Sequence, residues 1–165
     1  AEQQRWAAAI SANVRNLRGS LRETVWLLNM ENDTLEALTA YLRQEVRRIS
    51  EAASIRVHAD ISEECKAQTN IKPDVRRNVV MAVREACGNV VKHAEASEIW
   101  FILSISNGRL SVSIRDNGKG FNPAEEKRFS NGLKTMQKRM DACNGSVNVD
   151  SAPGAGTTVL FSLQI

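Results

Sequence analysis

Four side chains able to handle phosphate and metal ions crowd into one stretch of this 165-residue chain. In VREACGNVVKHAEAS, residues 83–97, a carboxylate (Glu85), a carboxamide (Asn89), an ammonium (Lys92) and an imidazole (His93) fall within about two helical turns. Spacings of four and three place them on one face of a helix. Their neighbours Ala86, Cys87 and Gly88 are small and let another group come close. A solvated helix face with incidental charge is the competing explanation, though such a face more often carries Lys, Gln and Glu.

Two further clusters lie downstream. IRDNGKGF, residues 114–121, runs a strand directly into Asp116, followed by Gly118 and Gly120. An aspartate at a strand end between glycines can aim its carboxylate into a cavity while bare backbone approaches a ligand. A plain Asp-Asn-Gly turn would look the same. In SNGLKTM, Gly132 opens a helix, whose N-terminal N–H groups favour phosphate oxygens. In APGAGTTVLFSL, Gly154 and Gly156 make a permissive turn, and Thr157 and Thr158 set hydroxyls at the mouth of the strand that follows.

The elements that must position these groups follow from periodicity. Residues 1–28 carry Trp6, Ile10, Val14, Leu17, Leu21, Val25 and Leu28 at helical steps of three and four. NMEND breaks that helix. Asp33 or Thr34 can cap the next, over 34–54, striped with Leu35, Leu38, Leu42, Val46 and Ile49. Residues 55–62 alternate as a half-buried strand, and a third helix spans 74–94 behind Pro73. EIWFILSIS and RLSVSIRD are strands joined at Asn107-Gly108, a strong hairpin signal. A helix over LKTMQKRMDACNG and a closing two-strand hairpin complete the order. The expected fold is α+β, a two-layer sandwich of a mixed sheet with helices on one face, preceded by a long N-terminal helix. The boundary falls near 29–34, giving segments 1–30 and 34–165.

Composition excludes several classes. Twenty-two basic against 19 acidic residues leave a charge of only +3, too little to indicate a nucleic-acid partner. The longest apolar runs, VWLL and WFIL, are far short of the roughly 20 residues of a membrane span. Cys65, Cys87 and Cys143 are widely separated, which argues against zinc or disulfides and for a reducing, cytoplasmic setting.

Taken together, the motif order (Glu…Asn on a helix, Asp-x-Gly-x-Gly after a hairpin, Asn-Gly-Leu opening a helix, Gly-x-Gly-Thr-Thr) resembles the ATP-binding domain of the GHKL superfamily. That superfamily, of Bergerat fold, holds sensor histidine kinases, gyrase B, Hsp90 and MutL. The resemblance covers residues ~34–165. REACGNVVKHAEAS and GLKTMQKRM are most similar to two-component kinases of the nitrate-sensor (NarX, NarQ) and DegS-like kind. LRGSLRETVWLLN resembles the end of their second dimerisation helix.

The resemblance implies ATP and Mg²⁺ as ligands. It makes Asn89 the oxygen ligand of Mg²⁺, Glu85 the group that orients or deprotonates the attacking nucleophile, and Lys92 and His93 neutralisers of phosphate charge. Asp116 becomes the acceptor of the adenine amino group, with Gly118 and Gly120 keeping the rim clear. Gly132 and Leu133 would cradle phosphates by their backbone, beside the turn at Gly156. Thr158, with Thr157 the less favoured alternative, would reach the adenine edge. Residues 121–131 would be a short lid.

The implied function is transfer of the ATP γ-phosphoryl group to a histidine, then to an aspartate of a response-regulator partner, in a homodimer whose parent protein could be anchored in the inner membrane. Neither histidine present, His58 or His93, stands in the LHD-like acceptor context. The expectation is therefore a fragment, not itself membrane-embedded, that binds ATP but cannot autophosphorylate alone. An anti-sigma-factor-type serine kinase and a non-catalytic, nucleotide-regulated dimerisation module are the alternatives. The N-terminal helix speaks against the first.

Overall fold

The structure is a computed structural model that describes residues 33–123 and 130–165, together with Trp6, Val25, Trp26 and Asn29. The chain divides into two units, residues 1–32 and 33–165. Most of the helix expected over 1–28, and lid residues 124–129, lie outside the described residues. Trp6, Val25 and Trp26 are helical, and the Asn29 N–H donates to the Val25 carbonyl at 3.1 Å.

The second unit opens on α1 (Leu35–Ala52). Thr34 is its cap, with the hydroxyl accepting from the Ala37 N–H at 3.2 Å. Leu35, Leu38, Leu42 and Val46 bury the predicted stripe, while Ile49 is half-buried. Strand β1 (Arg56–Ile61) follows, then a 3₁₀ turn at Glu63–Lys66 that the periodicity does not announce. Helix α2 (Pro73–Asn89) starts with proline at its first position, where the missing N–H removes no intrahelical bond. It continues into a π-helical turn, Val90–Ala94, and ends at Glu95 in the left-handed region.

Strands β2 (Glu98–Ser106) and β3 (Arg109–Asp116) form the hairpin at Asn107-Gly108, with φ of 51° and 70°. Both values are what a tight hairpin turn of matching twist requires. Helix α3 (Ser130–Asp141) begins at Ser130, so Gly132 sits inside its first turn instead of before it. Strands β4 (Ser146–Ser151) and β5 (Thr157–Gln164) close the chain.

The sheet order is β1-β2-β3-β5-β4, parallel only between β1 and β2. The mixed sheet with helices against one face is therefore as expected. Ile99, Phe101, Leu103, Leu110, Val112, Ile114, Val159, Phe161 and Leu163 point to the helical side and are buried. The alternate residues form the other face, on which Ile102 and Leu160 are exposed. On that face His58 stacks on Trp100 at 5.3 Å, and the Arg115 guanidinium lies 5.4 Å from the same ring. His58 is thus on the opposite side of the sheet from the polar helix.

Two ion-pair systems tie α2 down. Glu45 on α1 receives Arg48 (2.7 Å) and Arg84 of α2 (3.2 Å). Arg76, only 1% exposed, pairs with Asp33 at 2.7 Å. The Asp33 carbonyl accepts from the Ile71 N–H, and Thr34 bridges Asn70. The chain therefore enters this unit through a clamped residue.

Removing one member of a buried ion pair costs about 3 kcal/mol. Asp33→Ala is expected to lower unfolding stability by about that amount in urea titration. Arg76→Met should cost less, because Asp33 retains access to water. Equal losses, or none, would contradict the clamp.

Candidate functional site

Asp116 is the last residue of β3, on the helical side of the sheet and 3% exposed. Its Oδ1 accepts from the Gly118 N–H at 2.8 Å, and the Thr157 N–H donates to the same carboxyl group. Burial raises its pKa, and these two donors offset part of that rise. A buried carboxylate with unspent lone pairs facing a cleft suits a ligand that brings N–H donors.

The cleft is lined by Asn89 and His93 from α2 and the π turn, and by Asp116, Phe121, Leu133 and Thr157, with Ala86, Ile114, Met136, Val149 and Val159 as apolar walls. It encloses about 30 Å³. Small-molecule sites run to roughly 300 Å³ or more, so a ring system must part these walls. Leu133 and Met136 on α3 are the adjustable ones, methionine being the most compliant apolar side chain.

Close approach shapes the rim. A β-carbon at Gly118 would overlap the Ala94 carbonyl at the end of the π turn. The Lys119 N–H binds that carbonyl at 2.8 Å, and Lys119 Nζ reaches Glu95 at 2.6 Å. Asn117 accepts from the N–H groups of Ser97 and Glu98, both at 3.0 Å, and donates to the Ser97 hydroxyl. At Gly156, φ is +76° and a β-carbon would strike the Asp116 carbonyl. These residues weld the end of β3 to the end of α2.

The phosphate-handling candidates separate. Glu85 and Asn89 stand together: a β-carbon at Gly132 would lie 2.7 Å from Glu85 Oε1 and 3.3 Å from Asn89 Nδ2. His93 lines the mouth of the cleft and is exposed. Lys92 is exposed and does not line it, because the π turn changes the angular step after Asn89. Ala86 is a wall residue, Cys87 is sealed in the core with its thiol pushed up to about 12 by burial, and Gly88 has no atom within contact of an added β-carbon.

Thr157, paired with Asp116, is on the cleft side; Thr158, paired with Arg115 and Asp150, is on the outer face. The preference for Thr158 is thus reversed, since alternation along β5 admits only one of the two. Gly120 borders the cleft and Gly156 lies beneath Asp116. Sequence reasoning missed Phe121, Met136 and Val149, whose only signal was their place beside the glycine motifs. It also missed Ser151, described below.

With this geometry in view, likeness to known proteins is specific. Residues 74–165, more than half of the chain, match the family described as histidine kinase-, DNA gyrase B-, and HSP90-like ATPase. The chain belongs to that family. Membership implies an ATP site.

The chain is 36% identical over 97 residues to the sensor histidine kinase LiaS of Bacillus subtilis, covering 59% of this chain and 27% of LiaS. It is 30% identical over 114 residues to the kinase/phosphatase DegS of the same organism, covering 67% and 29%. It therefore spans under a third of the length of these relatives. Among solved structures, the histidine kinase domain of the Erythrobacter litoralis blue-light activated kinase shares the fold at a TM-score of 0.63 and 20% identity, covering 77% of this chain and 60% of that one. Full-length ShkA in complex with AMPPNP shares it at 0.65 and 20%, covering 99% and 39%.

Gly118→Ala must displace backbone and is expected to lower the melting temperature by several degrees. Gly132→Ala meets only side-chain ends, so it should change stability by less than about 1 kcal/mol while displacing Glu85 and Asn89. Asp116 titrates higher in the fold than in the unfolded chain. Its ionisation therefore costs stability as pH rises through the folded pKa, and that cost is absent below the unfolded pKa. Ligand-free Asp116→Asn should melt at or above wild type at pH 7, with the gap closing as pH falls toward about 4, read by scanning fluorimetry.

Proposed function

We propose that this chain is the ATP-binding catalytic part of a two-component sensor histidine kinase. It would work in the cytoplasm within a homodimer and pass the phosphoryl group on to a response-regulator aspartate. The observation that carries the reading is the buried Asp116 carboxylate opening on a cleft whose far end gathers Asn89 and His93, with Glu85 beside Asn89. The sensor histidine kinases among the relatives support the choice of acceptor.

In this reading Asp116 accepts from the adenine 6-amino group, with Thr157 beside it, and Ile114, Met136, Val149 and Val159 sandwich the ring. The Asn89 carboxamide oxygen is a hard donor, and no cluster of three His, Cys, Asp or Glu able to hold a metal occurs among the described residues. That fits Mg²⁺, which takes few protein ligands and completes its shell with phosphates and water. When bound it would neutralise phosphate charge.

The N–H groups in the first turn of α3, around Gly132 and Leu133, would offer donors to the phosphates, and the His93 imidazole would add a further polar contact. An acceptor imidazole nitrogen attacks the γ-phosphorus, a P–N bond forms, and the bond to the β-phosphate oxygen breaks as ADP leaves. Glu85 orients the imidazole and takes the proton from its other nitrogen. Most of the acceleration comes from positioning and charge neutralisation.

Calorimetry should show ATP binding and little GTP binding. Asp116→Ala should weaken ATP by roughly ten- to a hundredfold, the loss of a charged hydrogen bond. With γ-labelled ATP and a supplied acceptor-helix fragment, label should appear on the acceptor histidine. Glu85→Gln should cut that transfer by about a hundredfold or more with ATP affinity unchanged. Undiminished transfer by Glu85→Gln would remove its assigned role; no ATP binding by wild type would remove the reading.

A further inference from the structure

Asp116, Thr157 and Ser151 form one row across β3, β5 and β4, paired directly opposite one another. Among the described residues the Ser151 hydroxyl has three hydrogen-bond partners: the Phe121 backbone N–H at 3.0 Å, the Gly156 carbonyl at 2.9 Å and the Thr157 hydroxyl at 3.0 Å. A serine hydroxyl has one hydrogen to give and two lone pairs to receive. The Phe121 N–H only donates, and the Gly156 carbonyl only accepts. The sole proton of Ser151 therefore goes to Gly156, and the Thr157 hydroxyl must donate to Ser151. The reverse arrangement leaves two oxygens of Ser151 and Gly156 2.9 Å apart with no proton between them, in a part-buried setting.

We propose that Ser151 is a positioning residue that holds the Thr157 hydroxyl with its hydrogen turned away from the cleft, so that the base end of the site offers acceptors only. This rests on the reading of the cleft as an adenine site. Asp116 already presents a carboxylate there, and Thr157 then adds an oxygen lone pair next to it. Two neighbouring acceptors complement an exocyclic amino group, which carries two N–H donors, and oppose a 6-oxo group, which carries none. Ser151 would thus contribute to discrimination between 6-amino and 6-oxo purine nucleotides without touching either.

The test compares ATP with ITP, in which a 6-oxo group replaces the 6-amino group and N1 carries a hydrogen, by calorimetry on the whole chain. A Thr157→Val background separates the part that runs through the Thr157 hydroxyl. Ser151→Ala frees the Thr157 hydroxyl to rotate and donate into the cleft. The ratio of ITP to ATP dissociation constants should fall roughly tenfold, the scale of one hydrogen bond. Ser151→Thr, which keeps the hydroxyl, should hold the ratio near wild type. In a Thr157→Val background Ser151→Ala should no longer move the ratio, since the group it orients is gone.

Ser151→Cys, close to serine in shape and a weak hydrogen-bonder, carries the same test where the alanine variant does not fold. A ratio unchanged in Ser151→Ala or Ser151→Cys overturns the proposal, as does a shift that persists in full on Thr157→Val. Wild type that binds ATP and ITP alike overturns the adenine reading itself, which is a separate result.

Discussion

A carboxylate withdrawn from water at the end of a strand is the constraint from which the rest of this structure follows. An Asp116 side chain buried without donors would be protonated or would drag the loop outward, because an isolated buried charge is too costly to keep. Two backbone N–H groups, from Gly118 and Thr157, hold it in place. They can reach it only if the chain turns sharply after β3 and if β5 lies alongside. The turn brings Gly118 under the Ala94 carbonyl and Gly156 under the Asp116 carbonyl, where no side chain fits. The glycines are consequences of where one carboxylate has to be.

The same constraint explains the polar side of α2. The helix is welded to the Asp116 loop through Ala94, Glu95 and Lys119, so its last two turns lie beside the cleft instead of over the core. Nearer its start, Val79, Val80 and Val83 are buried in the ordinary way. One helix therefore serves two environments, and the buried Arg76 and the Glu45–Arg84 pair fix its rotation between them.

What was legible in the sequence was what local chemistry decides. The ends of β2 and β3 match the reading because Asn107-Gly108 sets the register of everything on either side. Thr34 as a cap, Pro73 at a first turn and Asp116 at a strand end are likewise local. The failures lie where a second element decides. Thr157 and Thr158 are chemically equivalent neighbours, and only the pairing with Asp116 shows which faces inward. Lys92 fits an α-helical face on paper; the π turn after Asn89 moves it off. Ser151 is an unremarkable serine in a hairpin until the Phe121 N–H and the Thr157 hydroxyl are brought to it from elsewhere. Helix α3 starts earlier than its apolar pattern does, because Ser130 and Asn131 carry no stripe.

The two ends of the cleft differ in how far they are prepared. At the base end every polar group is already oriented: Asp116 by two backbone donors, Thr157 through Ser151, and Phe121 by its own N–H bond to Ser151. Such a site loses little entropy when a base enters, and it can reject a wrong edge because an unmatched buried acceptor is expensive. Elsewhere in the cleft Asn89 and the exposed His93 contribute to the lining, with Glu85 beside Asn89 and Gly132 of α3 against both Glu85 and Asn89. Groups that must follow a phosphate through bond-making and release gain from that latitude, since a rigid cage around the starting state would stabilise it as much as the transition state. In the proposed reading, selection of the nucleotide and handling of its phosphates thus fall to differently built halves of one cleft.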